Sequence, residues 1–240
     1  MIPWLADEPV FPPLVMALEE PNGLLAAGGA LSPEWLLAAY RRGIFPWFGP
    51  EDPILWWSPD PRMVLEPAAM KRSRSLLRRL RRRDYRVRLD HDFAAVIRAC
   101  AAPREPGGGT WITPAMQQAY RRLHELGYAH SVECYDGETL VGGLYGIAIG
   151  RMFYGESMFA RATDASKVAL AHLCRLLDDK GFGLIDCQMT TDHLTSLGGR
   201  EIPRDLFAEQ LERLTRDGEA PARWPEDAVA NLDWGTQTPC

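Results

Sequence analysis

The chain has 240 residues, 46% of them apolar and 25% charged. That is ordinary globular usage; it excludes a disordered, collagenous or coiled-coil protein and suffices for a core without disulfides or metal. The formal net charge of −5 excludes a generic polyanion binder, and the length fits one large domain or one with a small partner.

The opening MIPWLADEPVFPPL is acidic and broken by prolines, unlike a secretory leader. Residues 1–60 are rich in Pro, Gly and Trp and predict one short helix, with Ser32 as its cap, Pro33 at its first position and Gly43 at its end. FPWF (45–48) and WWSPDPR (56–62) follow, with prolines at 46, 53, 59 and 61, and predict extended or turn-rich chain. We read 1–62 as a small lobe and 63–240 as a mixed α/β domain, an α+β protein in all. Charge is uneven along this layout. Residues 61–105 carry 13 Lys or Arg against 5 Asp or Glu, whereas 1–60 carry 2 against 8 and 106–240 carry 12 against 19. A basic belt inside an acidic protein points to a local anion site.

The centre of that belt is Lys71–Arg83, KRSRSLLRRLRRR, a predicted helix with Leu76, Leu77 and Leu80 on one face. Charge runs are commonly solvated faces, but those mix signs, and this one holds no acid. Its self-repulsion favours a nucleic acid over a membrane, for which three leucines and no aromatic make a poor face. Asp90 then opens a predicted helix to Ala101, Pro103–Gly109 is a loop, and Thr113-Pro114 opens a helix ending at Gly127. Tyr128–Tyr135, Asp136-Gly137 and Thr139–Ile149 predict a β-hairpin, and Met152–Ser157 a further strand. Ser166–Lys180 predicts a helix stopped by Gly181, Leu184–Met189 a buried strand and Pro203–Arg213 a last helix. The longest apolar run, Leu140–Gly150, has 11 residues and four glycines, too short to cross a bilayer. Cys100, Cys134, Cys174, Cys187 and Cys240 are odd in number and show no CxxC, so neither a disulfide framework nor a zinc site is expected, and a reducing cytoplasm is.

Two apolar strands carry acids. In LIDCQM (184–189), alternation puts Asp186 and Gln188 on one face and Ile185 and Cys187 on the other. They are either a structural pair satisfied by backbone, or a carboxylate that orients or deprotonates an amine with Gln188 positioning it. In YGESMF (154–159), Glu156 shares a face with Tyr154 and Met158. It either pairs with a core-facing Arg or recognises a cationic group of the substrate. Trp47, Trp56, Trp57 and Trp111 either plug the lobe or wall an apolar or nucleobase site. RATDASK (161–167) enters a helix and is a weak anion signal, while Cys187 with His193 makes an unconvincing nucleophile pair.

EPNGLLAAGG, YRRGIFPWF, DPILWWSPDPR, GTWIT, AYRRLHELGYAHS, LVGGLYG, GESMF, ASK, LIDCQ and SLGGREIPR occur in this order over about residues 10–210. Together they resemble the bacterial leucyl/phenylalanyl-tRNA–protein transferase family. The resemblance implies a small N-terminal lobe plus a domain like the GNAT acyltransferases. The implied reaction moves Leu, Phe or Met from aminoacyl-tRNA to the N-terminal amine of proteins starting with Arg or Lys, marking them for N-end-rule degradation. It implies no metal or other cofactor, no membrane partner and a monomer. By the same resemblance Asp186 draws the amine through Gln188, with the tRNA ribose 2′-OH as a rival base. Glu156 anchors the aminoacyl-adenosine or the acceptor's cation. Trp47, Trp111, Leu144, Met158, Leu173 and Ile185 form the pocket, and Lys71, Arg72, Arg74, Arg78, Arg79 and Arg82 hold the acceptor stem. Leu144 and Leu173 depart from the Met and Phe common in the family, which leaves the preference among apolar side chains open. Two other readings compete. A coenzyme A-dependent N-acetyltransferase would need a glycine-rich pyrophosphate loop, which RATDASK is not. A non-catalytic tRNA-binding protein would leave Asp186, Glu156 and Gln188 structural.

Overall fold

The computed structural model describes residues 2–103, 110–216 and 222–235. Beyond Pro103 the expected 103–109 loop lies outside the described residues, as does Cys240. The N-terminal part forms a small four-stranded sheet in the order β1 (Trp4–Leu5), β2 (Leu24–Gly28), β4 (Leu55–Trp57), β3 (Phe45–Pro46). Its prolines confine it to short strands, since each lacks the N–H that a ladder needs. Helix α1 (Pro33–Tyr40) starts after Ser32, but the Ser32 hydroxyl donates to Glu34 Oε2 at 2.6 Å instead of capping the helix. Trp56 is a core plug: fully buried, it stacks with Trp35 and donates to the Gly28 carbonyl at 2.9 Å.

The second sheet has seven strands in the order β11 (Arg200–Ile202), β5 (Arg62–Leu65), β10 (Leu184–Gln188), β9 (Met152–Ala160), β8 (Thr139–Ile149), β7 (Ala129–Asp136), β6 (Arg86–Leu89). The β7–β8 hairpin turns at Gly137, whose φ of +57° suits a tight turn. All neighbours are antiparallel except β9 and β10, which run parallel and pair only over Met152–Tyr154 and Leu184–Asp186. Beyond that short ladder the two strands are no longer paired, and Glu156 and Gln188, which follow on each, are among the residues that line the cavity described below.

One face of this sheet packs on α1, α3 (Phe93–Cys100) and α4 (Pro114–Glu125), forming a core continuous with the small sheet. The other face packs on α5 (Ala165–Asp179) and α2 (Arg74–Arg82). Helix α3 begins two residues later than Asp90 would have it: Asp92 caps it by accepting from the Ala95 N–H at 2.8 Å, while Asp90 adopts φ +52°. Helix α2 is likewise shorter than the basic run, because Ser73 caps it and Arg83 ends it at φ +53°. The short α6 (Asp192–Ser196) precedes β11, and α7 (Arg204–Thr215) follows it. Residues 222–235, given no role from sequence, pack Trp224, Val229 and Trp234 into the α5-side core.

Candidate active site

A cavity of about 530 Å³ opens where β9 and β10 part. Trp47, Trp111, Leu144, Glu156, Met158, Leu173, Ile185 and Gln188 all line it, so every expected pocket residue meets in one place. Phe45, Phe153 and Leu170 complete the apolar wall. Both sheets contribute: Trp47 comes from the segment after β3 of the small sheet, and its ring meets Trp57 edge-on at 5.5 Å.

Glu156 is buried and lines this space. Its Oε1 accepts from the Tyr40 hydroxyl at 2.8 Å and from Gln188 Nε2 at 3.0 Å, and its Oε2 accepts from the Tyr120 hydroxyl at 2.8 Å. The expectation of an arginine partner is not met; the donors are neutral. Burial pushes the Glu156 carboxyl up to about 7, with the Asp186 charge adding to the rise and the two hydroxyls opposing it. The two phenols are held well above their ordinary range, first by burial and then by Glu156, so they stay protonated. Tyr40 and Tyr120 oxygens also lie 2.5 Å apart. Carboxyl and two phenols thus form a triangle of short O···O approaches, with two hydroxyl protons between them. A third proton, on Glu156, closes the ring of hydrogen bonds, while the raised proton affinity itself comes chiefly from burial. Neither tyrosine is marked by the sequence; Tyr40 lies in YRRGIFPWF and Tyr120 in AYRRLHELGYAHS, but helical spacing alone does not send them to one carboxylate.

Asp186 does not share the cavity. The strand alternation that would lay it beside Gln188 is broken by a bulge between the two residues, and Gln188 adopts φ +64°. The Gln188 side chain turns to Glu156, while its backbone N–H donates to Asp186 Oδ1 at 2.9 Å. The rest of the Asp186 carboxylate is held by Arg62, whose Nε reaches Oδ1 at 2.8 Å and whose Nη2 reaches Oδ2 at 2.7 Å, both side chains being sealed from solvent. Sequence reasoning passes over Arg62, although it ends the quoted WWSPDPR motif. Cys187 and His193 line the cavity too, but burial and the Asp186 charge push the Cys187 thiol up, opposite to what a nucleophile requires.

The basic helix lies outside the cavity, packed on α5 through the buried Leu76 and Leu80. Lys71, Arg74, Arg78 and Arg82 are exposed, and Arg72 and Arg79 are half-buried. The run is less free than its sequence suggests. Arg79 pairs with Asp84 at 3.0 Å and stands 3.7 Å from Asp164, Arg82 pairs with Asp84 at 3.0 Å, and the Arg72 guanidinium lies 5.9 Å over the Trp234 ring. Among the described residues no group of three or more His, Cys, Asp or Glu is placed to hold a metal ion, and no helix is long and apolar enough to cross a membrane.

The site is thus an apolar cavity lined by an amide and a buried carboxyl, with a cationic helix elsewhere on the same sheet. Comparison with known proteins names it further. The family model described as leucyl/phenylalanyl-tRNA protein transferase matches residues 64–212, and that of its N-terminal domain matches 29–60. A leucyl/phenylalanyl-tRNA–protein transferase of Azoarcus sp. strain BH72 is 64% identical over 234 residues, covering 98% of this chain and 100% of its own. That of Aromatoleum aromaticum is 64% identical over 232 residues, covering 97% and 98%. The chain belongs to the leucyl/phenylalanyl-tRNA–protein transferase family.

Proposed function

We propose that this cavity carries out the transfer of Leu or Phe from aminoacyl-tRNA to the N-terminal amine of proteins beginning with Arg or Lys, and that it also accepts Met. The observation that carries the reading is the placement of Gln188 and Glu156 together, 3.0 Å apart, on the wall of a mostly apolar cavity of about 530 Å³. The apolar wall receives the aminoacyl side chain. Such a wall separates side chains that differ by one methylene by only about 1–3 kcal/mol, which suits a donor set of several apolar residues.

The ester linking amino acid to ribose is already activated, so the enzyme's task is to hold the amine against the carbonyl and take up its proton. The amine nitrogen bonds to the carbonyl carbon, the bond from that carbon to the ribose oxygen breaks, and Glu156 takes the nitrogen's proton and returns it to the departing ribose oxygen, which leaves as a hydroxyl. A carboxylate of ordinary acidity is a poor acceptor for an ammonium proton; one lifted to about 7 is matched to the task. Closing the Glu156–Tyr40–Tyr120 ring stabilises the proton once it arrives. Gln188 orients the amine, and Asp186 acts through the Gln188 backbone without touching substrate.

The lobe of residues 1–62 supplies Trp47 to the cavity mouth, and residues 63–240 supply the GNAT-like acyl-transfer centre. Lys71, Arg74, Arg78 and Arg82, with the half-buried Arg72 and Arg79, hold the acceptor stem by its phosphates, an interaction blind to sequence and therefore usable with several tRNAs. The protein acts as a monomer in the cytoplasm, where its products enter N-end-rule degradation. The test is transfer of radiolabelled Phe from Phe-tRNA to an Arg-starting protein, with a Glu-starting protein as control; transfer to both or to neither overturns the reading.

A further inference from the structure

We infer that Arg62 is a positioning residue of the transfer reaction: it fixes the Asp186 carboxylate so that the Gln188 backbone is held in its bulge and the Gln188 amide is aimed at Glu156. The inference deepens the function proposed above and rests on it for its kinetic consequence alone.

The chain of interactions is continuous. The Arg62 guanidinium is clamped between two rings, 4.9 Å from the Phe45 centroid on the cavity wall and 4.7 Å from the Phe207 centroid on α7. Its fork engages both oxygens of Asp186, at 2.8 and 2.7 Å. Asp186 Oδ1 takes the Gln188 N–H at 2.9 Å, closing an Asx turn over the bulge. That turn holds Gln188 at φ +64°, a conformation a glutamine does not hold unaided. From there Nε2 reaches Glu156 at 3.0 Å. Free rotation of the Asp186 carboxyl would release the turn, and Gln188 would relax to the extended strand, where alternation carries its side chain elsewhere.

A purely structural ion pair would show in stability alone, leaving the Gln188 turn and the transfer rate unmoved. Positioning needs the fork. Lysine keeps the charge but presents one nitrogen without the planar pair of donors, so it separates the two roles. The experiment compares wild type, Arg62→Lys and Arg62→Gln by amide hydrogen exchange at Gln188 and by single-turnover transfer from Phe-tRNA. Arg62→Lys is expected to stay folded, to speed exchange at Gln188 at least tenfold while the Phe153 amide in β9 is unmoved, and to slow transfer about tenfold with Phe-tRNA affinity unchanged. Phe207→Leu, which loosens the clamp from outside the cavity, should move both readouts the same way by a smaller factor, and covers the case in which Arg62→Gln fails to fold. Unchanged Gln188 exchange in Arg62→Lys overturns the inference. So does faster exchange with wild-type transfer. If wild type itself transfers nothing, the functional reading fails, and Gln188 exchange alone decides whether Arg62 holds the turn.

Discussion

Two buried carboxylates in this molecule are lifted to about 7 by the same cause, and only one serves a cavity. Glu133 on β7 and Glu156 on β9 are both pushed up chiefly by burial. Glu133 accepts from the Ser131 hydroxyl at 2.5 Å and from the Asp92 N–H at 3.4 Å, and its Oε2 has no hydrogen-bond partner among the described residues. Around it lie Asp90, which binds His130 Nδ1 at 2.8 Å, and Trp224, stacked on His130 at 3.9 Å. Glu133 lines neither the large cavity nor the smaller one beside Arg79 and Trp234. Glu156 instead faces open space and shares that space with an amide. A shifted proton affinity marks a costly burial; it marks a reactive site only where substrate can reach it.

The sharpest way to break this contrast is at Glu156. Glu156→Gln should lower transfer by roughly 10²–10⁴-fold, the range of general acid–base loss, with tRNA binding kept. In wild type the transfer rate should rise with pH through about 7 as Glu156 loses its proton. The variant should lack that limb and keep only the rise set by the acceptor amine. Glu133→Gln should leave transfer and its pH profile unchanged, and a profile altered as much as that of Glu156→Gln would erase the distinction.

Next in size is the ion pair that Glu156 lacks. Asp186→Ala leaves Arg62 buried and unpaired, so it should cost about 3–5 kcal/mol in denaturant unfolding besides slowing transfer roughly 10²-fold by misplacing Gln188. Stability against pH then treats the two glutamates alike. A carboxyl raised from 4.5 to about 7 binds more protons folded than unfolded, so its contribution is full below about 4.5 and is lost as pH rises through about 7. Each should cost about 3 kcal/mol at pH 8 relative to pH 4. Glu133→Gln and Glu156→Gln should each flatten that fall in thermal or denaturant melts, and a melt no steeper in pH for wild type than for both variants would refute the raised affinities. The smallest effect belongs to the surface. Charge reversal at Arg74 and Arg78, both exposed, should leave melting nearly unchanged while weakening tRNA binding and lowering its log–log salt slope by about 0.9 for each phosphate no longer neutralised.

Several elements were legible before any coordinates. The β7–β8 hairpin follows from alternation around Asp136-Gly137, α5 from its 3.6-residue periodicity and the Gly181 stop, and α4 from Thr113-Pro114, because each signal is local and falls within a few residues. Glu156 and Gln188 stood out as polar groups in apolar strands, since burying such groups demands a reason. The cavity residues came together through family motifs, which already encode a common tertiary fold.

What the chain could not announce locally was who partners whom. Arg62 and Asp186 are 124 positions apart and Tyr40 and Glu156 are 116 apart; no periodicity spans such distances, and only the pairing of β5 with β10 and the packing of α1 on the seven-stranded sheet bring them within hydrogen-bond reach. The bulge at Gln188 is likewise a tertiary product: strand alternation is a property of regular backbone, and a neighbouring strand, a buried carboxylate and its arginine override it at that one residue. The family motifs in the sequence thus pointed to the side chains that meet at the cavity, while the fold decided which acid lines it and which one is sealed against Arg62, because only long-range packing sets those partners.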